Sequence, residues 1–139
     1  MNTLADSGYF VGLFNSKDHE HARCKAFFLR YSGQITTTWS VFTEVCYLLT
    51  YRKQKAFFEW CSKAQKLGYL NIESPPAAAV MQIWELMDQY NDLPMDFCDA
   101  SLVYVGKHLK ISRIATTDWR DFSVYRLSGN RRFIHVLDE

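Results

Sequence analysis

LPMDFCDASLVYVGKHLKISRIATTDWRDF, residues 93–122, places two acid-bearing elements one after the other. Pro94 suits the first turn of a helix, and the apolar positions Met95, Leu102, Val103 and Gly106 recur at helical spacing to about His108. Asp99 lies inside that apolar stripe. Asp96 stands three residues earlier, so both carboxylates can face one point. The next run, Ile111–Thr116, is partly β-branched, with Ile114 and Ala115 as its apolar end, and predicts a strand that stops just before Asp118. A helix feeding a strand with an acid at its carboxyl end is half of an α/β repeat.

The rest of the chain continues the alternation. Asn2–Ala5 reads as a buried strand ending at Asp6, with Ser7 and Gly8 as a turn and Tyr9–Phe14 as a short helix. Asp18 is placed to cap a helix to about Arg30, with Ala22, Ala26, Phe27 and Leu29 facing inward, and Gly33 ends it. Ile35–Thr37 predicts a second strand. Thr38 and Ser40 cap a helix to about Arg52 that carries Glu44 in the stripe Val41, Val45, Leu48, Leu49. A helix over Gln54–Leu67 stops at Gly68, and Tyr69–Ile72 predicts a third strand. Ser74, Pro75 and Pro76 start a helix that ends near Tyr90. Trp119–Asn130 reads as loop and turn, and Phe133–Leu137 as a fifth strand. Strands alternating with helices imply a mainly parallel sheet covered on both faces. In such sheets sites form beyond the carboxyl ends of the strands, where Asp6 and Asp118 stand.

Asp6, Glu44, Asp99 and Asp118 therefore share a property. Each sits where a soluble chain normally places something apolar, and a lone buried carboxylate is costly unless paired or metal-bound. Four of them from distant parts of the chain suggest one acidic pocket, whose simplest use is to hold a hard divalent cation. Blander readings stand beside this one. Glu44 can pair with Arg52 or Arg113, and Asp96 in a first turn can be a cap favoured by the helix dipole.

The composition bounds the rest. A chain of 139 residues suits one domain over 1–139, and 48% hydrophobic residues argue against disorder. Net charge is +1, so the overall field says little about partners. Residues 101–139 carry seven Lys/Arg against four Asp/Glu, a local net of +3 that could offer Arg120, Arg126, Arg131 and Arg132 to a polyanion or simply to water. Cys24, Cys46, Cys61 and Cys98 form no CxxC pair and read as thiols in a reducing compartment. No apolar run approaches the ~20 residues of a membrane span, and no secretory leader is visible, so a cytoplasmic protein is expected. His19 and His21 read as exposed residues near a helix start rather than zinc ligands. Phe57, Phe58 and Trp60, with Tyr47 and Tyr51, exceed what one helix face needs and suit either core or an interface; Trp84 and Met87 share the ambiguity.

Three segments together resemble a family. "LADSGYFVGLFNSKDHEHARC" resembles the first strand of PIN-domain proteins with its acid and small hydroxylated neighbour, here Asp6 and Ser7. "ITTTWSVFTEVCYLL" resembles the segment carrying the family's glutamate, here Glu44, and the DxxDA unit gives Asp96 and Asp99. Thr116 and Asp118, followed by Arg120, Asp121 and Phe122, resemble the last acidic motif. More narrowly, the chain resembles VapC-type toxins of type II toxin–antitoxin pairs. The resemblance implies a three-layer α/β/α sandwich with a parallel sheet of about five strands. It implies a Mg²⁺- or Mn²⁺-dependent endoribonuclease that acts on RNA, pairs as a homodimer and is neutralised by a cognate antitoxin. In that reading Asp6, Glu44, Asp99 and Asp118 hold metal, Asp96 assists, and Ser7 and Thr116 support the ligands through their hydroxyls. Arg120 would meet an RNA phosphate. A PIN nuclease of RNA processing without an antitoxin, and a silent RNA- or protein-binding PIN module, are the alternatives. A phospho-receiver reading fails, because receivers need adjacent acids early and a lysine at a late strand end.

Overall fold

The computed structural model describes residues 1–139. The first half of the chain holds β1 (Asn2–Ala5), α1 (Ser7–Phe14), α2 (His21–Arg30), β2 (Gln34–Thr38), α3 (Trp39–Leu48), α4 (Tyr51–Lys66) and β3 (Leu70–Glu73). The second half holds α5 (Val80–Gln89), α6 (Phe97–Leu109), β4 (Arg113–Ala115), α7 (Trp119–Phe122) and β5 (Ile134–His135). The five strands form one parallel sheet in the order β3-β2-β1-β4-β5. Leu4 pairs with Thr36 on one side and Ile114 on the other, so β1 is the central strand. Successive strand side chains point to opposite faces, and Thr3, Leu4 and Ala5 are all buried. Both faces are therefore covered, as the three-layer α/β/α sandwich requires.

Several local expectations are revised. Helix α2 starts at His21, because Asp18 turns its carboxylate onto the Glu20 N–H (2.9 Å) and closes a turn outside the helix. Its inner face is then Cys24 and Phe27, while Ala22, Ala26 and Leu29 are exposed. Helix α3 ends at Leu48, not Arg52, and Leu48 is exposed. The Gln54 amide donates to the carbonyls of Cys46 (2.5 Å) and Leu49 (3.1 Å), so the residue expected to open a helix closes the preceding one. After the prolines the chain first makes a 3₁₀ turn at Ala77–Ala79. The expected loop over 119–130 contains α7 and a second 3₁₀ turn, where Gly129 supplies φ 69°. Ser7 belongs to α1 rather than to a turn.

The aromatic cluster divides. Phe57 is fully buried against Phe42 (4.8 Å), Phe10 (5.4 Å) and Phe14 (5.4 Å), whereas Tyr47, Tyr51, Phe58 and Trp84 are exposed. The four cysteines are free thiols, with Cys24 and Cys61 buried. No helix is long and apolar enough to cross a membrane. Removing the Phe57 ring opens a cavity under α1, α3 and α4. Phe57→Ala is expected to lower stability by about 3–5 kcal/mol, read as a reduced urea midpoint at unchanged slope.

Candidate active site

Asp6 leaves the end of β1 and becomes the cap of α1. One carboxylate oxygen accepts the Tyr9 N–H (3.0 Å) and the other accepts the Thr116 hydroxyl. Thr116 Oγ1 in turn accepts the Asp118 N–H (2.8 Å). One buried hydroxyl thus joins the carboxyl end of β1 to the residue beyond β4. Glu44, half-buried on α3, accepts the Ser7 hydroxyl from the first turn of α1. Thr38 caps α3 at the Val41 N–H (3.2 Å) and shares a 2.7 Å hydrogen bond with Ser101, which ties α3 to α6. Asp96 caps α6 by accepting the Asp99 N–H (2.8 Å). Asp99, one turn deeper, accepts the Tyr125 hydroxyl (2.9 Å).

The carboxylates brought within reach of a single ion are Asp99, Asp118 and Asp121, whose oxygens lie within 4.8 Å of one another. Asp6 and Glu44 stand around this trio, outside the tightest cluster. Asp121 stood in the last acidic motif of the sequence but was given no metal role there. The signal was present, since Asp118 and Asp121 repeat the three-residue spacing of Asp96 and Asp99 and α7 turns both toward the pocket. Gly8, expected in a turn, lies in α1, and a Cβ there would meet Thr117 Oγ1 at 2.0 Å, so a larger residue requires that hydroxyl to turn away. Arg120 is exposed on α7 beside Asp118, at the rim. Arg126, expected among the outward cations, instead folds its guanidinium onto the carbonyls of Ser123, Val124 and Tyr125 (2.9, 2.8 and 3.0 Å). His19 is exposed, and the His21 ring meets the Gly12 carbonyl at 2.8 Å; neither faces a further ligand group.

No lysine or arginine forms an ion pair with any of these acids. Arg113 pairs with Glu139 (2.8 Å), not with Glu44, and Arg52 is exposed on α4. Burial pushes the Asp6 carboxyl up to about 7 against the lowering effect of its Thr116 and Tyr9 bonds, and the charges of Asp118 and Glu44 add to the rise. Burial, then the Asp96, Asp6 and Asp118 charges, push Asp99 up to about 8, with the Tyr125 bond opposing. Asp118 is solvent-exposed, against the expectation of a buried acid; partial desolvation and Asp121 beside it raise its carboxyl, and the Arg120 charge opposes the rise. The donor set is all hard oxygen, none of these acids is held in an ion pair, and there is no thiolate or imidazole among the donors. Such a set fits Mg²⁺ or Mn²⁺.

These shifts bear on stability without metal. Between the ordinary 3.8 and about 8, the folded chain keeps a proton on Asp99 that the unfolded chain releases. The contribution of this group to apo stability therefore falls as pH climbs through that interval. In EDTA, Asp99→Asn is expected to melt a few degrees above wild type near pH 8.5, and the gap should close toward pH 5. Melting curves at the two pH values check this, and a variant that melts well below wild type at both would contradict it.

Residues 3–127 match the PIN domain family. No curated protein matches the chain. Among solved structures, the crystal structure of Mycobacterium tuberculosis VapC20, described as a sarcin-ricin loop cleaving toxin, superposes with a TM-score of 0.70. The two chains share 20% sequence identity, over 86% of this chain and 93% of VapC20. That likeness is one of fold, and the family match covers most of the sequence. The chain belongs to the PIN-domain family.

Proposed function

We propose that this protein is a Mg²⁺- or Mn²⁺-dependent endoribonuclease and the toxin of a toxin–antitoxin pair. The observation that carries the reading is the convergence of carboxylates from β1, α3, α6 and α7 with no cationic partner. Asp6, Glu44, Asp99 and Asp118 would hold the ion, directly or through water, and Asp121 joins them at the mouth. Asp96 contributes charge next to Asp99. Ser7 and Thr116 orient Glu44 and Asp6, the supporting role that hydroxyls play around metal-binding carboxylates.

When bound, the cation neutralises charge on the scissile phosphate and lowers the pKa of water. The chain's own residues do the rest. Asp99, raised to about 8, sheds a proton when a cation is captured, so metal affinity should rise with pH across the neutral range. The Thr116 hydroxyl keeps Asp6 from rotating away, and Arg120 stands where an RNA phosphate would approach the rim. The toxin role is supported by the similarity of fold to VapC20. It carries with it a proteinaceous antitoxin, a homodimer and a cytoplasmic setting.

Incubation of total cellular RNA with the purified chain in Mn²⁺, Mg²⁺ or EDTA tests the proposal. Discrete fragments are expected only with metal. Asp99→Asn should reduce cleavage by more than the 10–100-fold that losing a supporting contact costs. Either ion should also raise the melting temperature of the wild type and leave Asp6→Asn/Asp118→Asn almost unmoved. Cleavage that persists in EDTA, or equal metal shifts in both proteins, would sink the reading. Growth arrest on expression, relieved by Asp99→Asn, separates a toxin from a housekeeping nuclease.

A further inference from the structure

Tyr125 lies 26 residues from Asp99 in sequence, and its hydroxyl donates to Asp99 Oδ2 at 2.9 Å. The ring is fully buried. It meets Tyr90 (5.0 Å, 65°) and Phe122 (5.0 Å, 79°) edge-on, and Phe122 rests in turn on Phe133 (5.5 Å, 88°). The backbone is held as firmly. The Tyr125 N–H donates to the Asp121 carbonyl (3.2 Å), and the Arg126 N–H donates to the Tyr90 hydroxyl (3.0 Å). Arg126 closes the loop by donating to three successive carbonyls. All this ordering places a single polar atom against a single carboxylate oxygen. A buried phenol normally finds some partner, but here the partner is an acid of the pocket.

We infer that Tyr125 is a positioning residue that locks the Asp99 carboxylate for cation binding. The inference rests on the metal-site reading above. A carboxylate without a fixed donor turns about its terminal bond and presents either oxygen. The phenol engages Oδ2, while Oδ1 accepts no hydrogen bond from the protein and is left for a ligand. Tyr125 also belongs to the loop that follows α7, the element bearing Asp121 and preceded by Asp118. One hydrogen bond therefore ties the Asp99 side of the pocket, on α6, to its Asp118–Asp121 side. Removing the hydroxyl while keeping the ring should leave the fold intact and let the two sides drift.

The test is Mn²⁺ binding, followed by the electron paramagnetic resonance of free Mn²⁺, in wild type, Tyr125→Phe and Tyr90→Phe. Tyr90→Phe, at the end of α5, removes the hydroxyl that accepts the Arg126 N–H of this loop but touches no carboxylate, so it reports the purely structural contribution. Tyr125→Phe is expected to bind Mn²⁺ about 10–100-fold more weakly at a similar apo melting temperature. Tyr90→Phe should stay within about threefold of wild type, below the loss typical of a metal-supporting contact. Wild-type affinity in Tyr125→Phe, or an equal loss in both variants, would overturn the inference while leaving the metal site standing. A wild type that binds no Mn²⁺ would remove the site itself, and the inference with it.

Discussion

The hydroxyl of Thr116 gives its proton to Asp6 and takes the backbone N–H of Asp118, so one buried oxygen connects the two central strands at their carboxyl ends. The geometry of the pocket follows from that contact. It holds Asp6 where burial would otherwise favour its escape to water, and it sets the point at which the chain turns into α7. Glu44 and Asp99 arrive from α3 and α6, held by Ser7 and Tyr125, and face the acids of this seam. The cost is accumulated negative charge in a partly dry space, visible in the raised proton affinities of Asp6 and Asp99.

The fold has a second way of tolerating that charge. Asp6, Asp96 and Asp118 each precede the first turn of a helix, and Asp99 and Asp121 lie within one. Helix N-termini carry partial positive charge and unpaired N–H groups, so the acids are set against α1, α6 and α7 rather than against side-chain cations. This compensation is partial. Five acids held by dipoles and hydroxyls alone keep an attraction for a cation that a full set of arginines would have cancelled. The absence of arginine near Glu44 belongs to the same design: Ser7 orients it without neutralising it.

Much of this was legible because carboxylates among apolar neighbours are anomalous at the level of local pattern. Asp6, Glu44, Asp99 and Asp118 stood out on that ground, and the alternation of strands and helices located two of them at strand ends. What was illegible depended on direction rather than identity. Asp121 looks like an ordinary polar residue in a loop until a single helical turn aims it at Asp118. Tyr125 reads as core from any pattern of hydrophobicity, since its one polar atom is exposed only to Asp99. Arg126 looks like surface charge, yet its geometry is consumed by carbonyls. In α2 the expected start moved because Asp18 closed a turn before the helix, and of the expected inward residues only Phe27 is buried, with Cys24 beside it.

The strand order has a consequence for synthesis. β1 lies between β2 and β4, and its partners Thr36 and Ile114 stand far apart along the chain. A growing chain can pair β1 with β2 early, but the other edge of β1 stays open until β4 leaves the ribosome. Until then Asp6 has neither Thr116 nor Asp118 beside it, and Asp99 has no Tyr125. The pocket is therefore completed only after Tyr125 has emerged, with β5 left to pair with β4 and close the sheet.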